Sequence, residues 1–133
     1  VIPVSPRTDN FVRKNVFLIG DSAGFADPVV AEGISNAILS GILAAKSIIE
    51  SNLDSVRAAE LYTQKLEDNI LPEIKTGVIL SKLFYERKKF RNFFNKKYGQ
   101  ALAEAMTDVF MGDRSYPKDY KATIRRKIKE AIF

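Results

Sequence analysis

Apolar positions along this chain follow two rhythms, and the change between them falls at Gly33. Before it, Val16-Phe17-Leu18-Ile19 is an unbroken apolar run, which predicts a strand covered on both faces. After it, Ile34, Ala37, Ile38, Gly41, Ala44, Ala45, Ile48 and Ile49 recur every three or four residues and predict a long helix with that face inward. The small residues on it would let a sheet or another helix approach closely. Between strand and helix, Gly20 and Asp21 end the run, Gly24 and Pro28 shape a loop, and Gly33 stands at the mouth of the helix. A strand ending in Gly-Asp and feeding a helix N-terminus is a layout that holds phosphate or ribose. It is equally the layout of an ordinary strand-to-helix crossover.

The remaining pattern is almost all helical. Upstream, Val1 to Pro6 is extended because of its two prolines, Thr8-Asp9-Asn10 marks a turn, and Arg13-Lys14-Asn15 leads into the strand. Downstream, Asn52-Leu53-Asp54 breaks the long helix and can cap the next one. That helix is expected from about Ser55 to Leu71, with Ala58, Leu61, Tyr62 and Leu66 inward. Pro72 kinks or restarts it, and a third segment runs through Ile74, Val78 and Leu83 toward Glu86. From Arg87 to Tyr98 cations alternate with aromatics, and Gly99 closes the run. A fourth helix, roughly Gln100 to Met111, should bury Leu102, Met106, Val109 and Phe110. Gly112 to Pro117 reads as a turn, with Pro117 suited to a helix's first turn. The last helix, to about Ile132, sets Tyr120, Ile124, Ile128 and Ile132 in a ladder opposite a basic face of Lys118, Lys121, Arg125, Arg126 and Lys129. The division this suggests is 1–53 for strand, turn and long helix, and 54–133 for a helical region.

Composition narrows the chemistry. At 133 residues the chain is long enough for one domain with a modest core. It has no Cys and no His, which removes disulfides and leaves zinc without its usual ligands, so no metal site is expected. No stretch reads as a transmembrane helix or a signal peptide. A cytoplasmic location, peripheral to a membrane at most, is the expectation. Val1 opens directly on an extended segment without an initiator Met, so the chain is expected to be a piece of a longer protein. Apolar surface that would cover the missing N-terminal half then predicts self-association.

Taken in order, Gly20-Asp21-Ser22-Ala23-Gly24, Asp27-Pro28, Glu32-Gly33-Ile34, Ser40-Gly41 and Ala44-Ala45 resemble a family pattern. The pattern is the second FAD-binding signature of flavoproteins with the p-hydroxybenzoate hydroxylase type of fold. Within them the sequence is most similar to geranylgeranyl reductases, including digeranylgeranylglycerophospholipid reductases. The resemblance is strong over Ile2 to Ile49 and weaker beyond, and Ile2 to Val4 resembles the strand that precedes the motif. Ser22 replaces the commoner Ala. Ala31 stands where the family often has Gly, a departure that bears on how closely the backbone there approaches the flavin.

The resemblance implies a mostly α fragment, the C-terminal part of an α/β FAD-binding fold with one or two short N-terminal strands. It implies FAD as cofactor and an isoprenoid or lipid substrate whose double bonds are reduced by hydride transfer. The same resemblance implies that Asp21 hydrogen-bonds hydroxyls of the ribityl–pyrophosphate region and that Gly20 and Gly24 permit close backbone approach. Pro28 would line the flavin ring, and the amides near Glu32, Gly33 and Ile34 would face its N1–C2=O edge. A helix N-terminus there offers free N–H groups and a positive dipole end to a negatively charged reduced flavin. The catalytic residues are not assigned, and the fragment alone is expected to be inactive.

Other readings use the same residues. Gly20-Asp21-Ser22-Ala23-Gly24 fits the spacing of a G-x-S-x-G nucleophile elbow, but a chain without His gives Ser22 no general base. A flavin-dependent halogenase or hydroxylase suits Asp27-Pro28-Val29, although halogenases usually show paired serines where this chain has Ala31-Glu32. From another class comes a non-catalytic basic helical module that binds a partner protein or an anionic membrane surface. It rests on the net charge of +5 and on the cation–aromatic run around Phe90, Phe93, Phe94 and Tyr98. No nucleic-acid motif is present, so nucleic acid is not expected as a partner.

Overall fold

A computed structural model of the chain describes residues 6, 7, 9–111, 116 and 119–132. The strand expected at Ile2–Val4 lies outside the described residues, as do Thr8 and all of the 112–117 turn except Tyr116. So do Lys118 and the side chains of Tyr120, Lys121 and Ile132. The described chain is mostly helical, as expected: one two-stranded sheet and five α-helices. It divides into two compact units, 1–78 and 79–133.

In the first unit, β1 (Val12–Arg13) and β2 (Val16–Phe17) form an antiparallel hairpin with Val12 opposite Phe17 and Arg13 opposite Val16. This corrects the strand predicted to be covered on both faces. The regular pairing is two residues long, with Val16 62% and Ile19 43% exposed. The reason is that β1 is its sole strand neighbour among the described residues, so Phe17 packs inward while the run's ends face out. The Phe17 ring meets the edge of Tyr62 at 5.5 Å between centroids.

Helix α1 (Ile34–Glu50) begins where the rhythm changes, but the face it buries only partly matches the one predicted: Ala44 is buried and Ala37, Gly41 and Ile48 half-buried. Ser40, Leu43, Ala44 and Ser47 are buried, whereas Ile34, Ile38 and Ile49 are exposed and Ala45 with them. Serine suits this inner face because its hydroxyl can bond back along the helix, as Ser47 Oγ does to the Leu43 carbonyl at 2.8 Å. Its small volume lets α2 come close. The break after α1 falls as predicted. Asn52 and Leu53 take φ of 52° and 67°, and the Asp54 carboxylate accepts the Arg57 N–H at 2.8 Å to cap α2 (Ser55–Asn69).

Ala58, Tyr62 and Leu66 of α2 are buried as predicted, with Leu61 at the margin. Pro72 then sits in the first turn of α3 (Leu71–Ser81), restarting the helix where its missing N–H costs nothing. Ile70, Leu71 and Ile74 from this junction join Phe11, Phe25, Leu43, Tyr62 and Leu66 in one core. That shared core carries the first unit to Val78, past the 53/54 division suggested by the sequence.

In the second unit a π-helical segment (Lys82–Glu86) leads into α4 (Lys88–Met111), followed by α5 (Tyr120–Ile132). Here the prediction is corrected at its start. The cation–aromatic run is helical, and Gly99 does not end it; the helix kinks at Tyr98 (φ −129°, ψ 18°) and resumes. Phe84, Phe90, Phe94 and Tyr98 stack along one side, Phe90 and Phe94 4.5 Å apart, and this packing anchors the first half of the helix. The Tyr98 hydroxyl donates to the Lys127 carbonyl at 3.0 Å and ties α4 to α5. Leu102, Met106 and Val109 are half-buried, but Phe110, predicted to be buried, is 54% exposed.

Tyr62 gives the first unit a testable signature. Its ring is fully buried and its hydroxyl donates to the Leu18 carbonyl at 2.8 Å, so Tyr62→Phe should lower stability by about 1–2 kcal/mol. Burial pushes the hydroxyl from its ordinary value of 10.0 up to about 12. Between those values the folded chain keeps a proton that the unfolded chain has lost. The native contribution is therefore complete below pH 10 and falls as pH rises toward 12. Urea midpoints measured across that range should show an alkaline decline that is smaller in Tyr62→Phe.

Candidate functional site

The residues singled out around Gly20 and Gly33 are brought together by close backbone packing. Gly20–Ala23 forms a single 3₁₀ turn, and Gly24 closes it with φ of 73°. Gly20 itself takes φ of 52°, and a Cβ there would lie 2.8 Å from the Ala37 Cβ. Glycine is thus required twice over, by backbone conformation and by the approach of α1. Ser40, three residues beyond Ala37, accepts the Gly20 N–H at 3.0 Å through Oγ. Asn36 donates its side-chain N–H to the Phe25 carbonyl at 2.9 Å. One side of α1's first two turns therefore clamps both ends of the Gly-Asp turn.

The loop from Asp27 to Glu32 closes on itself. Asp27 is buried, and its Oδ1 accepts the N–H groups of Val29 and Val30, each at 2.8 Å. Its backbone N–H donates to the Glu32 carbonyl and its carbonyl accepts from Ala31. Ala31, where the resembled family often has Gly, adopts φ of 58°. The family preference thus has a local cause in a left-handed position. Pro28 is buried within this loop.

At the entrance to α1, Gly33 offers no side chain to cap the helix, and Glu32 does so instead, accepting the Ser35 N–H at 2.9 Å through Oε1. Glu32 therefore already has work at the helix start. Asp21 is exposed and lies directly across Gly33, so close that a Cβ on Gly33 would sit 2.7 Å from Asp21 Oδ1. The arrangement sets an accepting carboxylate beside a helix N-terminus whose other first-turn N–H groups have no acceptor within the helix. Such a pair can hold a ligand rich in hydroxyls and carrying negative charge on one edge.

Of the seven residues predicted, Gly20, Asp21, Gly24, Glu32 and Gly33 thus meet around one turn and one helix end. Pro28 lies buried in the loop between them, and Ile34 begins α1 with its side chain 74% exposed. The sequence pattern did not mark Asn36, whose signal is positional, on the first turn of α1; Ala37 was placed on the inward face of that helix, and it is the residue Gly20 approaches. Ser40 was part of the pattern, and its role is to fix the Gly20 backbone. Ser22, the residue of the elbow spacing, donates its hydroxyl to the Ile19 carbonyl at 2.7 Å. Among the described residues no helix is long and apolar enough to cross a membrane.

Comparison with known proteins bears out the resemblance to geranylgeranyl reductases. The chain is 29% identical over 122 residues to the chloroplastic geranylgeranyl diphosphate reductase of Arabidopsis thaliana, covering 87% of this chain and 26% of that protein. It is 32% identical over 110 residues to the digeranylgeranylglycerophospholipid reductase of Thermoplasma volcanium, covering 80% of this chain and 24% of that protein. It is also 31% identical over 111 residues to a tryptophan 2-halogenase of Chondromyces crocatus, covering 81% of this chain and 20% of that protein. The chain spans about a quarter of the length of these relatives. No family model matches it, and no solved structure does.

Two opposite substitutions test the geometry of the turn. Gly20→Ala should lower stability by about 2–4 kcal/mol, combining a left-handed backbone penalty with the clash at Ala37. Ala31→Gly should raise it by about 0.5–1 kcal/mol, because glycine relieves the φ of 58° at some cost in unfolded-chain entropy. Denaturant unfolding of both variants beside the parent chain measures each change.

Proposed function

We propose that this chain is part of a longer FAD-dependent oxidoreductase that reduces double bonds of an isoprenoid chain, a geranylgeranyl group carried on a lipid or diphosphate headgroup. The observation that carries the reading is the exposed Asp21 carboxylate held across Gly33 at the start of α1. Its position in an ordered motif and the similarity to geranylgeranyl reductases support the same reading. The donor and acceptor set suits FAD. Asp21 would accept hydrogen bonds from hydroxyls of the ribityl–pyrophosphate region, and Gly20 and Gly24 would keep the turn's backbone free of side chains. The amides at Glu32, Gly33 and Ile34 would line the flavin ring, and Pro28, buried in the loop, would shape the backbone behind them. The positive end of α1 stabilises negative charge placed against it. Bound there in its reduced form, FAD would supply the hydride for one alkene carbon, with a proton for the other.

The similarity to a tryptophan 2-halogenase favours one second reading, a flavin-dependent halogenase built on the same turn. The substrate separates the two. Reduced product from an isoprenoid alkene supports the first, and a halogenated indole supports the second.

The cofactor is tested in the longer protein, purified without added FAD. A flavin absorption band should be present, and Asp21→Asn and Gly33→Ala should each weaken FAD binding roughly ten- to a hundredfold. That is the scale of a hydrogen bond to a charged group. Asp21 is exposed, so Asp21→Asn should leave the unfolding transition in place. A colourless protein that cannot take up FAD would remove the flavoenzyme reading.

A further inference from the structure

The second unit carries a charge unlike that of the first. Residues 79–133 hold fourteen Lys and Arg against six Asp and Glu, a net of +8, whereas residues 1–78 hold seven against ten, a net of −3. Helices α4 and α5 both carry part of the excess, and on α4 it gathers in the first half. Between Glu86 and Glu104 there is no acidic residue, while Arg87, Lys88, Lys89, Arg91, Lys96 and Lys97 all fall there.

The helix sorts these residues by face. Phe90, Phe94 and Tyr98 point into the aromatic stack, with Phe94 7% exposed. Lys88, Lys89, Asn92, Phe93 and Lys96 are exposed on the side away from it. Lys89 and Lys96 stand four residues before and three after Phe93, so both flank it on the helix surface. Phe93 is 41% exposed, and its ring meets the Phe94 ring edge-on at 5.7 Å, which braces it. The result is a single braced aromatic flanked by Lys89 and Lys96, with Lys88 farther round the same exposed side and no carboxylate in the surrounding sequence.

We propose that this face of α4 docks on an anionic lipid surface, Phe93 entering the interface while Lys88, Lys89 and Lys96 meet the headgroups. An apolar ring among lysines is what an interfacial helix presents, and each lysine near such a surface contributes roughly fivefold to binding. Single-stranded nucleic acid suits the face less well. Its recognition uses successive ring faces along a groove, and here Phe90, Phe94 and Tyr98 are occupied with one another. The proposal does not rest on the proposed function, whose residues belong to the first unit.

The chain has no Trp, so Phe93→Trp makes a lone fluorescent reporter at the proposed point of entry. Adding vesicles of phosphatidylcholine with phosphatidylglycerol should shift its emission to the blue, and pure phosphatidylcholine should not. Co-sedimentation of the whole chain with the anionic vesicles should weaken at high salt. It should fall at least tenfold when Lys88, Lys89 and Lys96 are all changed to Glu. The same reversal at Arg57 and Lys75, exposed in the first unit, should change it little. Circular dichroism confirms that the variants remain helical. An unshifted emission, vesicle binding indifferent to the triple reversal, or tighter binding to a single-stranded oligonucleotide than to vesicles would overturn the proposal.

Discussion

Gly20 lies so close to α1 that no side chain fits between them, and this contact governs the first unit. Because the backbone is that near, Ser40 can take the Gly20 N–H and Asn36 can reach the Phe25 carbonyl. Two residues earlier, Tyr62 of α2 holds the Leu18 carbonyl. The segment is thus fixed from two helices within three residues of chain. The buried Asp27 closes the following loop internally, so the path back to Gly33 is also fixed. What remains open to solvent is the Asp21 carboxylate at the helix entrance. Rigid backbone on every side of one exposed acceptor is the kind of preorganisation a cofactor site needs.

The parts of this arrangement that were legible in the sequence are those set by a single residue's backbone chemistry. Gly20 and Gly24 announced a turn, Asp54 a helix start, and Pro72 a restart, and each stands where its local chemistry put it. The inward face of α1 was legible only in part. Counting apolar residues pointed to Ile34, Ile38 and Ile49, yet the face that packs inward includes Ser40 and Ser47. Serines count as polar in any such pattern, although their hydroxyls bond within their own helix and cost little to bury. Tight approach selects for small volume, which a hydrophobicity pattern does not record.

In the second unit the reading failed for a different reason. Gly99 is a strong local signal for a helix end, but the residue before it, Tyr98, is held by a tertiary contact to the Lys127 carbonyl, and the helix continues. The chain answers the conflict by bending at Tyr98 rather than stopping. A Cβ at Gly99 would meet nothing within 4 Å, so no close contact explains the glycine there. The kink is instead anchored by Tyr98, whose hydroxyl reaches the Lys127 carbonyl while the Lys127 ammonium stands 5.2 Å from its ring.

The disagreement over α1 also has a positive content. The helix is small and tightly packed on one side and largely apolar on the other, where Ile34, Ile38, Ile42 and Ile49 stand exposed, as do Val16 and Ile19 of the strand segment. A helix apolar all round is ordinarily a buried one. The unbroken run from Val16 to Ile19 says the same of the strand: its composition records more cover than β1 and the described core provide. Both misreadings therefore point the same way, since each took a residue's hydrophobicity as a report on contacts within this chain. Under the proposed function those faces belong against the rest of a protein about four times as long, as its relatives are. The flavin-facing side of the turn and the apolar side of α1 would then be two faces of one rigid element, set in register by the single close approach at Gly20.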